Sequence, residues 1–176
     1  SAMSLLLAFA SAAGEGTVEG TIKCDGEPPA AKVIEIPKGH VDKKTLELPD
    51  TVPDESLVVN EVNRGIACVV VTLSPVDGSK VSAPKRVSFV MKDGVVREHV
   101  VVAPAGSEVE FVNLYPVCHN IKVMATLNPS FNECVDWGTS VTKEFSKAER
   151  VQVQCSICPW LSGWLVITDT PYYAKT

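Results

Sequence analysis

The chain has 176 residues, 45% hydrophobic and 21% charged, which suits one folded domain with a core and is too apolar for a disordered chain. Its 16 basic and 21 acidic residues leave a net charge of −5 with no Lys/Arg cluster, so nucleic acid and an anionic membrane surface are not expected partners. Six cysteines point to an oxidising compartment, with disulfides, a metal, or both.

The apolar run from Ser4 through Leu5, Leu6 and Leu7 to Gly14 has two readings. It is either the end of an export signal, with Ala10-Ser11-Ala12 as a small-x-small cleavage site, or an ordinary apolar strand or helix turn. Ser1-Ala2 before Met3 resembles a cloning remnant. Residues 1–15 are therefore read as a signal remnant or disordered N-terminus, and the protein as periplasmic or extracellular. No run approaches the roughly 18 apolar residues of a membrane span.

Residues 16–24 alternate as a strand and end at the turn signal Asp25-Gly26. Residues 32–36 read as a short strand. Residues 37–56, rich in Pro, Asp and Lys, read as a long exposed loop with a helical turn over 41–46. Residues 57–59 and 66–73 read as strands, and the second, apolar on both faces, as a central one. A loop over 74–84 follows. Residues 86–91 and 95–102 are expected to pair across a Lys92-Asp93-Gly94 turn. Pro104-Ala105-Gly106 turns into a strand ending at Asn113. Residues 128–132 read as loop and 141–145 as strand. Short strands with Gly/Pro punctuation predict an all-β Greek-key sandwich or barrel. One domain is expected over 16–176, with 86–176 as its core and 16–73 as an N-terminal extension adding strands to its sheets.

Two strand ends carry the chemistry. His119, Ile121 and Val123 share the apolar parity of one strand, so the imidazole points inward and Cys118 outward. Val151, Val153 and Cys155 share the apolar parity of another, so the thiol of Cys155 also points inward. Cys155-Ser156-Ile157-Cys158-Pro159 then opens a tight loop before a further strand. An inward His and an inward Cys at strand ends are two ligands of a blue-copper site.

From 98 to 176 the chain resembles a cupredoxin-like family of planctomycete-type bacteria. The matching residues are the Gly106 to Asn113 strand, the dipeptide His119-Asn120, the Cys155 to Leu161 loop and the ending after Asp169. The opening β-module also resembles that family's, and the loop spacing resembles amicyanin-like cupredoxins. The resemblance implies a Greek-key cupredoxin-like sandwich with extra N-terminal strands, copper, and electron exchange with a redox protein partner. It implies His119 and Cys155 as ligands. At the family's second His the chain has Cys158, and at its axial Met it has Leu161, a vacant axial position. Two thiolates and one imidazole form a soft, negative set suited to Cu(I) or Zn.

Other readings compete at each residue. Cys155 and Cys158 suit a metal or a disulfide, and a catalytic dithiol less, because no helix N-terminus activates them. A zinc site would recruit His119 with Cys134 or Cys118. Cys118–Cys134 is a plausible disulfide under the loop. Cys24 and Cys68 read as core thiols or a pair. His40 and His99 read as surface or packing residues, and Trp137, Trp160 and Trp164 as core or lip aromatics. Asn120, through its backbone, and Asn113 are candidates for supporting the ligands. No hydrolase grouping or phosphate loop is seen. The expectation is thus a metal-binding, non-enzymatic protein, copper first and zinc second. The alternative is a metal-free interaction module with a Cys155–Cys158 disulfide.

Overall fold

The structure is a computed structural model that describes residues 3–8, 16–40, 43, 47–74 and 83–176. Its strands are β1 (Met3–Ala8), β2 (Glu19–Cys24), β3 (Val33–Glu35), β4 (Thr51–Pro53), β5 (Val70–Thr72), β6 (Arg86–Lys92), β7 (Val95–Val96), β8 (Val100–Pro104), β9 (Ser107–Asn113), β10 (His119–Met124), β11 (Phe131–Val135), β12 (Thr139–Phe145), β13 (Glu149–Gln154), β14 (Ser162–Thr168) and β15 (Tyr173–Lys175). Five form one sheet in the order β11-β10-β13-β14-β8, and four form a second in the order β12-β9-β6-β7. The all-β sandwich expected from the punctuation is the fold observed.

Alternation puts the apolar parity of both sheets inside. Along β9, Ser107, Val109, Phe111 and Asn113 are buried, and along β10, His119, Ile121 and Val123. Phe111 has no exposed surface, and its ring centroid lies 5.9 Å from Phe89, 5.3 Å from Phe131 and 6.1 Å from Phe145. Aromatic pairs at such separations add to the area term, and burying one large apolar side chain stabilises by about 1.5–3 kcal/mol.

Several expectations are corrected. The returning segment 95–102 is not one strand. Val96 pairs with Met91 in the four-stranded sheet, while β8 runs parallel to β14 in the five-stranded one. The chain changes sheets between them, at the polar Arg97-Glu98-His99 that breaks the apolar run. Residues 131–135, read as loop and connection, form β11 on the edge beside β10. Their polar Asn132 and Glu133 suit an edge strand, which needs only one buried face. The run 66–73 is not central: only β5 is a strand, paired with β15 in a separate two-stranded sheet. Cys68 adopts a φ of 61°, which interrupts the run. Val69 and Val70 line a cleft of about 600 Å³ with Val100, Trp164 and Val166, which explains their apolar character.

The remaining N-terminal strands pair among themselves, β1 with β2 and β3 with β4, and not with the two large sheets. The segment 37–56 is not all exposed loop, because residues 51–53 form β4 and Val52 is buried. Ile36 and Val52 join the sandwich core, so this extension is packed onto it. Apart from Lys43, the expected helical turn over 41–46 lies outside the described residues, as does most of the 74–84 loop.

Candidate metal centre

His119 opens β10 and Cys155 follows directly on β13, and these strands are antiparallel neighbours with Lys122 opposite Gln154. The shared inward parity brings imidazole and thiol to the same end of the sandwich. Cys155 Sγ lies 3.5 Å and Cys158 Sγ 3.8 Å from His119 Nδ1. All three side chains are buried, and their ligand atoms lie within 4.8 Å of one another.

The loop's own chemistry returns Cys158 to the site. Leu161 N–H donates to the Cys158 carbonyl at 2.9 Å, closing a four-residue turn with Pro159 at its second position, where proline's fixed φ is favoured. Cys155 N–H donates to the Leu161 carbonyl at 2.8 Å, and Cys158 N–H donates to Cys155 Sγ at 3.4 Å. The amide facing that sulfur is thus Cys158's, where Asn120's was expected. Leu161 is buried in the core cluster and offers only hydrocarbon.

The loop preceding His119 is fixed by Asn113, whose side chain is fully buried. Its Nδ2 donates to the carbonyls of Val117 (2.7 Å) and Val135 (2.8 Å), and its Oδ1 accepts from Tyr115 N–H (2.9 Å). The tyrosine ring in turn packs on His119, with centroids 4.6 Å apart. A disulfide joins Cys118 to Cys134, tying the start of β10 to β11 just outside the site. Cys24, Cys68, Cys155 and Cys158 are not disulfide-bonded.

Electrostatically, Cys155 is prepared for the anionic form. The hydrogen bond with Cys158 is the largest influence on its thiol. Burial opposes it, and His119 and the Ile157 and Cys158 amides add to it, taking the pKa from 9.0 down to about 4. A thiolate is the form that binds metal.

The donor set fits a soft ion. With bonds of about 2.3 Å to sulfur and 2.0–2.1 Å to nitrogen, tetrahedral geometry separates S and N by about 3.5 Å. Of the observed separations, 3.5 Å matches that edge and 3.8 Å lies slightly above it. His119 Nε2 is buried with no hydrogen-bond partner among the described residues. An imidazole that leaves one nitrogen unpaired, at a cost of about 1–3 kcal/mol, while aiming the other at two sulfurs is placed for those sulfurs.

Two histidines were expected at the surface or in packing. His99 sits apart from the site, its Nδ1 3.6 Å from Glu55 Oε2. His40 instead comes to the site's rim, its Nε2 3.1 Å from the Ile157 carbonyl and 3.9 Å from Cys158 Sγ. No local spacing places it there, because the docking of Ile36 and Val52 on the core, which carries that stretch to the site, shows only in the fold. Trp160 is buried and its ring meets His40 edge-on, 4.8 Å between centroids, whereas Trp137 is 65% exposed and is no core residue.

No protein-family model and no curated protein matches the chain. Among solved structures, a copper-containing nitrite reductase from Thermus scotoductus is 24% identical, with a TM-score of 0.44 over 53% of this chain. The match spans only 24% of that reductase. A purple cupredoxin from Nitrosopumilus maritimus is 19% identical, with a TM-score of 0.40 over 46% of this chain and 98% of that one. An oxidized amicyanin variant is 15% identical, with a TM-score of 0.43 over 47% of this chain and 81% of that one.

Proposed function

We propose that this protein is an exported, cupredoxin-like carrier of one soft metal ion, copper before zinc, that transfers electrons to a protein partner or handles copper. His119, Cys155 and Cys158 would hold the ion, and Leu161, where the resemblance puts an axial ligand, would offer it only hydrocarbon. The observation carrying this reading is the buried triad itself, two sulfurs and one imidazole nitrogen within 4.8 Å of one another.

Bound copper would supply a single-electron couple, or in the Cu(I) state a stored cargo. The chain's own residues do the rest. Asn113 and Tyr115 hold the imidazole in place, the Cys158 side chain and His119 favour the anionic form of Cys155, and Leu161 and Trp160 exclude water. Two thiolates with one imidazole favour the monovalent ion. Nothing in the site calls for turnover of an organic substrate. Export is supported by the Cys118–Cys134 disulfide, a bond that persists in oxidising compartments, whereas the apolar segment is in part strand β1 paired with β2. Among the described residues, no helix is long and apolar enough to cross a membrane.

The test is a copper titration of reduced protein beside a thiol count. One ion taken up per chain, lost in Cys155→Ser, supports the carrier. No uptake, with residues 155 and 158 found oxidised together in the purified protein, supports the metal-free interaction module instead.

A further inference from the structure

Three protein donors leave a tetrahedral ion one position short. Of the three histidines in the chain, His119 is already in the set and His99 is engaged with Glu55 elsewhere. His40 is the imidazole that the fold delivers to the opening. It arrives from the N-terminal extension, 118 residues before Cys158, and its Nε2 stands 3.9 Å from that sulfur. This separation is close to the sulfur–nitrogen edge of about 3.5 Å in a tetrahedral site, but His40 does not lie within 4.8 Å of all three ligand atoms, so its ring must swing inward to share the ion.

The approach is built. Ile36 and Val52 bury themselves in the core cluster that contains Cys155, Cys158, Trp160 and Leu161. Ile36 N–H donates to the Asp50 carbonyl at 2.8 Å, closing the base of the segment. His40 N–H donates to the Pro37 carbonyl at 2.9 Å, and the His40 carbonyl accepts from Lys43 N–H at 3.1 Å. Lys43 also pairs with Asp50. Backbone hydrogen bonds on both sides thus aim the imidazole, and the Trp160 ring supports its edge. Nε2 now rests on the Ile157 carbonyl at 3.1 Å. Exchanging that contact for a metal bond costs little, because Ile157 is 53% exposed and water can replace the ring.

We propose that His40 is a fourth ligand, so that the N-terminal extension closes over the ion and completes a two-imidazole, two-thiolate set. The inference rests on the reading of His119, Cys155 and Cys158 as a metal centre. Its consequence is a closed site with no position open to an outside ligand, the arrangement of a holding site. The imidazole absent from the 155–161 loop is then supplied from elsewhere in the chain.

The experiment adds Cu(I) anaerobically to the reduced full chain, in competition with a chromophoric Cu(I) chelator, while imidazole ¹⁵N resonances are followed. One equivalent should shift the ring nitrogens of both His40 and His119, an assay that needs no variant. His40→Ala should still take one ion, with affinity lower by at least about tenfold. Cys155→Ser should abolish uptake. If wild type takes the ion, Cys155→Ser does not, and the His40 signals and the His40→Ala affinity are unchanged, His40 is not a ligand while the centre stands. If wild type takes no ion, both readings fall together.

Discussion

Cys155 Sγ and His119 Nδ1, 36 residues apart in sequence, lie 3.5 Å from each other in the interior of a β-sandwich. Adjacent antiparallel strands and one shared parity suffice to bring them together. The sulfur is the harder of the two to replace. Cys155→Ser swaps a thiolate for a hydroxyl at a buried position that faces an amide and an imidazole. Copper uptake should vanish, while thermal unfolding of the metal-free protein changes by no more than about 2 kcal/mol. Chelator competition and a melting curve check both parts.

Asn113 links the core to the site. Asn113→Ala removes three hydrogen bonds and leaves the Val135 carbonyl without its partner in the interior. The expected cost is about 2–4 kcal/mol in denaturant unfolding. Because the 114–118 loop leads directly into His119, metal affinity should fall as well, which a purely structural role would not require.

Phe111 tests the sandwich. Its ring packs beside Phe89 and Phe145 of its own sheet and against Phe131 of the other, so Phe111→Ala opens a cavity the sheets cannot collapse to fill. A loss of about 3–5 kcal/mol is expected in chemical unfolding.

Glu149 gives a pH signature away from the site. Burial pushes its carboxyl up, but the Asn128 side chain and the amides of Thr126, Leu127 and Asn128 outweigh it and hold the pKa below 4.5. A depressed folded value means that the unfolded chain binds the proton more readily. The stabilisation is therefore complete above 4.5 and is lost as pH falls through the lower folded value. Glu149→Gln should cost about 1 kcal/mol at neutral pH, and the gap to wild type should close in acid. Melts at several pH values read this directly.

Period-two patterning was a sound guide wherever a strand has one buried face. It oriented His119, Ile121 and Val123 on β10, Val151 and Val153 on β13 and Cys155 just after it, and with them two of the three candidate ligands. It failed where parity carries no information. In 95–102 the polar Arg97-Glu98-His99 marks the break between Val96 and Val100, but alternation does not say which sheet each side joins. The edge strand β11 is polar enough to pass for loop. His40 was out of reach for a different reason: a contact across 118 residues depends on how Ile36 and Val52 dock, which no local spacing encodes.

The central claim is that two sulfurs and an imidazole of this chain share one ion. X-ray absorption at the copper edge, on reduced protein loaded with one equivalent of Cu(I), counts those neighbours directly. The account predicts two sulfur scatterers together with imidazole nitrogen in the first coordination sphere. A sphere with fewer than two sulfurs, or with no imidazole, would contradict it.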